Sequence, residues 1–185
     1  MSMRISPTSL PGVSIVETSF RVDQRGAFAR LFCEQELYEI LGDRHIVQIN
    51  QSRTVTVGAL RGMHYQRAPH AEMKLIRCIK GRVWDVAVDI RRDSPTFLQW
   101  HAEELSAENG RMLVVPEGCA HGFQVLEPGS EMLYLHTASY AQHAEGGLAY
   151  NDPRCAISWP LPVTDLSDGD SRRSFISSDF SGIAV

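Results

Sequence analysis

The chain has 185 residues, a formal net charge of −4, 43% hydrophobic residues and 22% charged residues. This length allows a sizeable core in one domain, and the composition is that of a globular protein. The acidic balance and the lack of a basic run argue against a nucleic-acid partner. No apolar run is long enough to predict a membrane span.

The cysteines, Cys33, Cys78, Cys119 and Cys155, are scattered and form no C-x-x-C motif. The first residues contain no apolar segment typical of a secretory signal. We therefore expect free thiols and a cytoplasmic location.

The chain is predicted to form many short strands separated by turn residues, with few helices. A helix is predicted over 34–42, where Gly42 can end it, and a second short helix near 164–170. Frequent strands with few helices indicate an all-β sandwich or barrel. The predicted strands are 13–18, 27–32, 45–50, 53–58, 59–66, 73–80, 82–90, 97–105, 111–115, 120–126, 131–138 and 155–159.

We interpret residues 1–185 as one domain, with segments 1–12 and 172–185 at its periphery. Within strand 82–90, alternation places Asp85, Ala87 and Asp89 on one face. That small, acidic face predicts either a cavity wall or a surface in contact with water.

The stretch ALRGMHYQ, 59–66, has the pattern of a strand but carries Arg61 and His64. Strict alternation puts these two side chains on opposite faces. If both serve one site, the strand must contain a bulge, and Gly62 is the expected position.

The stretch PEGCAH, 116–121, ends in His121 and fits the pattern P-x-G-x-x-H. This pattern is half of a metal site in the jelly-roll proteins called cupins. The other half would be H-x-H followed by Glu, but Gln66 stands where the second histidine belongs. A divalent metal usually needs three or four protein ligands, so a site without metal is favoured. His121 alone is also consistent with a hydrogen-bonded strand histidine.

Several polar side chains favour a site for an anionic, polar ligand, because arginine suits phosphate contacts. Taken singly, each cation is more typical of a solvated position. Tyr134 is compatible with either a core residue or a proton donor. The polar candidates are Arg25, Gln48, Asn50, Arg61, His64 and Lys74.

These residues occur in segments that together resemble the dTDP-4-dehydrorhamnose 3,5-epimerase family of nucleotide-sugar enzymes. The resemblance runs from about residue 13 to 171, and several segments in one order are more specific than any single motif. The segments are VDQRGAF, QINQS, GALRGMHYQ, KLIRCIKGRVWDVAVDIRRDSPTF, ELSAEN, LVVPEGCAHGFQVL, YNDP and ISWP.

The resemblance implies a cupin-type jelly roll without a catalytic metal or cofactor, usually a homodimer. It implies epimerisation at C3, C5 or both in a nucleoside-diphosphate 4-keto-6-deoxyhexose, usually carried by dTDP, during deoxysugar biosynthesis. His64 matches the catalytic base, Asp170 its carboxylate partner, Tyr134 the acid, and Lys74 a lysine near the keto oxygen.

The resemblance also implies substrate contacts at further positions. Among them, Tyr140 matches an aromatic residue that stacks on the nucleobase, and Phe20 is expected beside it. These positions are Phe20, Arg25, Gln48, Asn50, Arg61, His121, Tyr140 and Glu145.

The chain departs from the family pattern at several positions around the expected substrate. Arg30 stands where the family usually has glutamate, and Gly169 replaces the lysine before the aspartate. The segment after Tyr134 contains His136 and lacks the lysine that is more usual in the family. The connection SRTVTVG is one residue longer than expected for the family. These changes leave the sugar, and 3,5- versus single-centre epimerisation, open.

Two other classes remain as alternatives. One is a metal-dependent cupin oxygenase or isomerase that uses His64, His70, Glu72 and His121. The other is a non-catalytic sugar-binding cupin.

Overall fold

The computed structural model describes residues 2–185. It consists of two antiparallel sheets and a separate hairpin, with two one-turn helices and one 3₁₀ turn. The predicted all-β jelly-roll architecture is confirmed. The elements are β1 (Met3–Pro7), β2 (Ser14–Thr18), β3 (Arg21–Asp23), β4 (Gly26–Phe28), α1 (Tyr38–Leu41), β5 (Gln48–Thr54), β6 (Leu60–Gln66), β7 (Lys74–Lys80), β8 (Arg82–Asp89), β9 (Trp100–Ser106), β10 (Arg111–Val115), β11 (Cys119–Val125), β12 (Ser130–His136), a 3₁₀ turn (Gln142–Ala144), β13 (Glu145–Gly147) and α2 (Asp168–Ser171).

The two large sheets share one apolar core. The first sheet has the order β1-β2-β10-β7-β12-β5, and the second has the order β13-β6-β11-β8-β9. Buried side chains from both sheets form one cluster, which includes Ile76 of β7, Val83 of β8, Leu113 of β10 and Phe123 of β11. Burying this apolar surface holds the sheets face to face.

Parts of both terminal segments pack against the sheets. β1 pairs with β2 along its whole length, and Leu10 belongs to the core between the sheets. Ile176, Phe180 and Ile183 pack on the outer face of the five-stranded sheet. Their apolar side chains cover a sheet face that would otherwise contact water.

Most predicted strands are present, and the exceptions have physical reasons. The two strands predicted at 45–50 and 53–58 are one strand, β5, because the polar residues between them face a cavity and do not form a turn. No strand forms at 155–159, where the alternating side chains pack on the five-stranded sheet without ladder pairing. The strand predicted at 27–32 is reduced to β4.

The remaining differences concern short elements. The helix predicted at 34–42 is shortened to α1, and the one predicted near 164–170 is α2. The sequence analysis misses β1, β3 and β13. Cys33, Cys78, Cys119 and Cys155 are all free thiols, as predicted. Among residues 2–185, no helix is both long enough and apolar enough to cross a membrane.

The predicted irregularity in β6 is present. Along the β6–β11 pairing, His64 lies opposite His121 and Arg61 lies opposite Phe123, so β6 has one more residue than its partner over this interval. Gly62 has φ +130°, and a Cβ there would lie 2.5 Å from the Cα of Gly122. The extra residue breaks alternation and brings the two polar side chains of β6 to one cavity.

We expect Gly62→Ala to destabilise the fold through backbone overlap with β11 and an unfavourable φ. Gly26→Ala is the matched control, because Gly26 also has φ +130° but a Cβ there meets nothing within 4 Å. Chemical denaturation should give a loss of unfolding free energy for Gly62→Ala that exceeds the control by about 1–3 kcal/mol. Equal losses would contradict the close approach.

Candidate active site

A cavity of about 630 Å³ lies between the sheets. Strands β5, β6, β7, β11, β12 and β13 and the segment 165–173 supply most of its wall. An adjoining cavity of about 140 Å³ shares five of the same residues and adds Gln48 and Tyr140. Of the predicted site residues, those in the main cavity wall are Asn50, Arg61, His64, Lys74, His121, Tyr134, Glu145 and Asp170.

The structure joins His64 to Asp170 by a hydrogen bond of 2.6 Å between Nε2 and Oδ1. α2 begins after Ser167, whose hydroxyl accepts the backbone N–H of Asp170 at 3.0 Å and caps the helix. The other carboxylate oxygen accepts the N–H of Gly62 at 3.4 Å. The bulge glycine and the cap therefore hold the carboxylate behind the imidazole.

The protonation of this pair follows from its contacts. Burial raises the pKa of Asp170, but the hydrogen bond and charge of His64 and the bonds from Gly62 and Ser167 outweigh it and leave the pKa lowered. An ionised carboxylate only accepts hydrogen bonds, so Nε2 of His64 donates. Nδ1 of a neutral His64 is then free to take a proton.

Tyr134 lies on the opposite sheet from His64 and lines the same cavity. Its hydroxyl is 2.8 Å from the hydroxyl of Ser52 on the neighbouring strand β5. Burial raises the pKa of Tyr134, so the phenol stays protonated at neutral pH. The side chain packs on the core and also faces the cavity.

Lys74 lies in a buried charge network. Its Nζ is 3.2 Å from Oε1 of Glu72 and donates to the carbonyl oxygen of His64 at 3.3 Å. Oε2 of Glu72 is 2.8 Å from Nδ1 of His136. Burial raises the pKa of Glu72, but the hydrogen bond from His136 and the charge of Lys74 reverse this shift and leave the pKa lowered. The ammonium group is thus fixed close to the backbone of the candidate base.

His121 is paired with Asp85, at 2.8 Å between Nε2 and Oδ1. Burial raises the pKa of Asp85, and its other oxygen has no partner among the described residues. Asp89 on the same face of β8 is fully buried and bonds Arg91, Ser94 and Thr96. The expectation that this acidic face lines a cavity or contacts water is therefore wrong, because both carboxylates are fully buried and bonded to protein side chains.

Three further predicted residues meet at the cavity mouth. Tyr140 is exposed, its backbone N–H donates to Oε1 of Gln48 at 3.0 Å, and its hydroxyl donates to Glu145 at 2.7 Å. The bond from Tyr140 and the charges of Arg173 and His64 lower the pKa of Glu145 despite partial burial. The aromatic ring is thereby held by both ends next to the opening.

Phe20 and Arg25 are not brought to either cavity in the single chain. Phe20 lies against Gly110, where a Cβ would be 2.7 Å from its ring. Arg25 pairs with Asp23 at 2.6 Å on the exposed β3–β4 hairpin. These two predicted contacts are therefore unsupported by the fold of one chain.

The cavity wall also contains polar residues that the sequence analysis misses. Ser52 lies in the quoted stretch QINQS, so its position beside Asn50 was a usable signal. Asp165, Ser167 and Arg173 come from the C-terminal segment, where no spacing or motif marks them as cavity residues.

The four side chains of the alternative metal site do not converge on one point, because each is bonded to a different partner. His64 bonds Asp170, His121 bonds Asp85, and Glu72 bonds Lys74 and His136. The fourth, His70, contacts His143 on the surface, with 3.2 Å between their Nε2 atoms. Within residues 2–185, no three His, Cys, Asp or Glu side chains are grouped as metal ligands.

A family model described as dTDP-4-dehydrorhamnose 3,5-epimerase matches residues 7–178. The chain belongs to the dTDP-4-dehydrorhamnose 3,5-epimerase family. The predicted resemblance is thus confirmed. A relative of that name from Shigella flexneri is 42% identical over 180 residues, which cover 96% of this chain and 99% of the relative.

Solved structures show the same relationship. The crystal structure of a dTDP-6-deoxy-D-glucose-3,5-epimerase from Legionella pneumophila, in complex with dTDP-4-keto-L-rhamnose, has 38% identity and a TM-score of 0.91, with 99% of each chain covered. A 3′-monoepimerase from Streptomyces bikiniensis, in complex with dTDP-quinovose, has 30% identity and a TM-score of 0.85, covering 91% of this chain and 86% of its own.

The departures from the epimerase family pattern have different structural settings. Arg30 forms an ion pair with Glu36 outside the cavity. His136 lies in the cavity wall, where it bonds Glu72. Gly169 also lines the cavity but contributes no side chain to it.

We expect Asp170→Asn to lower the unfolding free energy at neutral pH by about 1–3 kcal/mol, because a buried charged hydrogen bond is lost. The pKa of Asp170 is lower in the folded protein than its ordinary value of 3.8. The ionised carboxylate therefore stabilises the fold fully above pH 3.8, and this stabilisation is lost as the pH falls through the folded pKa. Denaturation from pH 7 towards acid should therefore show the gap between wild type and variant closing. Asp168→Asn, at a side chain that is 96% exposed, is the control. A gap that stays constant into acid would contradict the ionised pair.

Proposed function

We propose that the protein is an isomerase that inverts C3 and C5 of dTDP-4-dehydro-6-deoxyglucose to give dTDP-4-dehydrorhamnose, in deoxysugar biosynthesis. Membership of the epimerase family supports this reaction. The observation that carries the proposal is that His64, bonded to Asp170, lies on one sheet and Tyr134 lies on the other, across one cavity. Inversion needs a base and an acid on opposite sides of the sugar ring.

In the proposed mechanism His64 is the base. The C4 ketone acidifies the C–H bonds at C3 and C5, because loss of either proton gives an enolate. Nδ1 of His64 removes the proton, while Nε2 remains bonded to Asp170. The carboxylate fixes the tautomer and stabilises the imidazolium that forms.

Lys74 stabilises the enolate. Negative charge develops on the C4 oxygen as the proton leaves, and a positioned ammonium group in a shielded cavity offsets that charge. The Lys74 side chain is 10% exposed, and Glu72 and the backbone of His64 fix its position. This preorganisation limits the rearrangement needed at the moment of reaction.

Tyr134 is the acid that returns a proton on the opposite face. Its raised pKa keeps the proton on the phenol in the resting enzyme, and Ser52 orients the hydroxyl. His121, held by Asp85, lies beside it, with 6.3 Å between the ring centroids. The reaction moves protons only, so the proposed mechanism uses no redox cofactor and no metal.

The remaining predicted residues bind the substrate in this proposal. Asn50, Arg61 and His121 contact the polar sugar and diphosphate from the main cavity, and Gln48 and Glu145 contact polar groups of the nucleoside at the mouth. Tyr140 is 57% exposed and held at both ends, which suits an aromatic surface for the nucleobase.

The second candidate is epimerisation at a single centre. The likeness to a 3′-monoepimerase at 30% identity favours this possibility. The same base, acid and lysine would serve it, so the distinction depends on how the ring sits between His64 and Tyr134.

We further propose a homodimer in which the β3–β4 hairpin of each chain reaches the partner's cavity. The hairpin is exposed along its length, and Val22 and Phe28 are 76% and 65% exposed. An isolated two-stranded hairpin is marginally stable in water, and apolar side chains on it favour a covering surface. Phe20 and Arg25 lie outside the cavity of their own chain. In this arrangement they would contact the substrate bound in the partner's cavity.

The proposal treats residues 1–185 as one catalytic domain in the cytoplasm. Terminal segments that pack on both sheets support a single domain. Four free thiols and a nucleotide-linked substrate support a cytoplasmic location.

Proton NMR of dTDP-4-keto-6-deoxyglucose in deuterated water tests the reaction. Wild type should introduce deuterium at both C3 and C5, whereas label at one centre supports the second candidate. His64→Ala should abolish exchange, and Tyr134→Phe should retain exchange but impair inversion. Tyr38→Phe, at an exposed position on α1, is the matched control. Exchange at the wild-type rate in His64→Ala would remove that residue from the base role.

Mixing two inactive variants tests the shared site. We expect Arg25→Ala and His64→Ala each to be impaired alone, and a refolded mixture to regain activity. In a mixed dimer, one cavity combines the intact His64 of one chain with the intact Arg25 of the other. Sedimentation should show a dimer. A mixture no more active than its parents would contradict the hairpin exchange.

A further inference from the structure

The wall of the main cavity contains two arginines, and the proposed mechanism uses only Arg61. The other, Arg173, follows α2, and its backbone N–H donates to the carbonyl oxygen of Asp170 at 3.3 Å. The short segment that carries the partner of the candidate base therefore also brings a guanidinium to the same cavity.

The guanidinium of Arg173 is only partly satisfied by the protein. One terminal nitrogen donates to Oε1 of Glu145 at 2.5 Å, and the side chain is 25% exposed. Its Nε is buried and has no partner among the described residues. A guanidinium offers five N–H donors, and only one terminal nitrogen is bonded to a described residue, so its exposed part can still reach a ligand.

The side chain of Arg173 packs against the backbone of Gly147 in β13. A Cβ on Gly147 would lie 2.5 Å from Nε of Arg173, so a side chain at position 147 would displace the guanidinium from this place. Gly147 pairs with His64 in the β13–β6 ladder. The guanidinium is thus seated against the strand pair that carries the candidate base.

Position 169 leaves room beside this arginine. Gly169 lines the cavity where the family usually has lysine, and a Cβ there would meet only the hydroxyl of Ser167, at 3.7 Å. The chain therefore lacks one cation at the cavity wall. Arg173, just past the end of α2, supplies another cation to the same wall.

The three cations of the cavity wall differ in solvent exposure, which suggests different contacts with the substrate. Lys74 is the most enclosed, with 10% exposure, and the proposed mechanism assigns it to the keto oxygen. Arg173 is more exposed, and Arg61 is more exposed still. A substrate whose sugar lies innermost would place its diphosphate beside the two arginines, whose planar groups suit phosphate oxygens.

We propose that Arg173 binds the diphosphate of the nucleotide sugar and replaces the cation that is missing at position 169. This inference rests on the proposed function, because the diphosphate belongs to that substrate. The contact with Glu145 then orients the guanidinium before the substrate arrives.

Calorimetric titration with dTDP, and with thymidine as a ligand without phosphate, tests this role. Arg173→Ala should weaken dTDP binding about 10- to 100-fold, the effect of losing a charge-assisted hydrogen bond, and change thymidine binding little. Arg172→Ala is the matched control, since that neighbouring side chain is 76% exposed. Unchanged dTDP affinity in Arg173→Ala would overturn the inference.

A rescue variant separates binding from a structural role. The double variant Arg173→Ala, Gly169→Lys should recover part of the dTDP affinity, because it returns a cation to the open position. If Arg173 only holds Glu145 in place, adding Gly169→Lys should restore none of the lost dTDP affinity. A failed rescue in a folded double variant would overturn the inference.

Two further controls make the outcome decisive. Arg173→Lys keeps the charge and should lose less affinity than Arg173→Ala, so it serves if the alanine variant does not fold. Failure of wild type to bind dTDP or to exchange deuterium would defeat the proposed function. If wild type binds dTDP and exchanges deuterium, and Arg173→Ala binds dTDP with unchanged affinity, only the role of Arg173 is defeated.

Discussion

The hydrogen bond between His64 and Asp170 is the contact on which the rest of the site depends. It joins residues 106 positions apart, one on a central strand and one on a C-terminal turn. A carboxylate that only accepts hydrogen bonds determines which nitrogen of the imidazole carries the proton. The contact therefore determines the tautomer of the candidate base as well as its position. It also ties the C-terminal segment, with Ser167 and Arg173, to the cavity wall.

That contact exists only because β6 departs from regular pairing. The extra residue at Gly62 turns His64 towards the cavity that Arg61 also faces, and the Gly62 N–H bonds the carboxylate. The close approach of Gly62 to Gly122 leaves no room for a side chain on either glycine. A local break in the ladder therefore places two polar groups of one strand in a single site.

The sequence was most informative where a residue pattern conflicted with regular geometry. The placement of Arg61 and His64 three residues apart on one strand predicted the bulge, and apolar alternation predicted most of the sheet strands. Pattern was misleading for β5, because Asn50 and Ser52 have the polarity of turn residues but face the cavity. Contacts that form only in the folded chain, such as that between Arg173 and Glu145, cannot be predicted from the neighbouring sequence. The resemblance to the family supplied Asp170, which spacing alone does not connect to His64.

Four ionisable groups of the cavity wall are each paired with a carboxylate before any substrate is present, whereas the side chain of Arg61 bonds only the hydroxyl of Thr54 among the described residues. Lys74 has Glu72, His121 has Asp85, His64 has Asp170, and Arg173 has Glu145. A buried charge without a partner is costly, so each pair lowers the cost of keeping an ionisable group at the wall. The carboxylates also fix the direction of each donor. Tyr134 differs, because its only hydrogen-bond partner among the described residues is the neutral hydroxyl of Ser52. With no carboxylate bonded to its hydroxyl, the phenol is oriented without a base that would compete for its proton, which is the condition a proton donor to carbon requires.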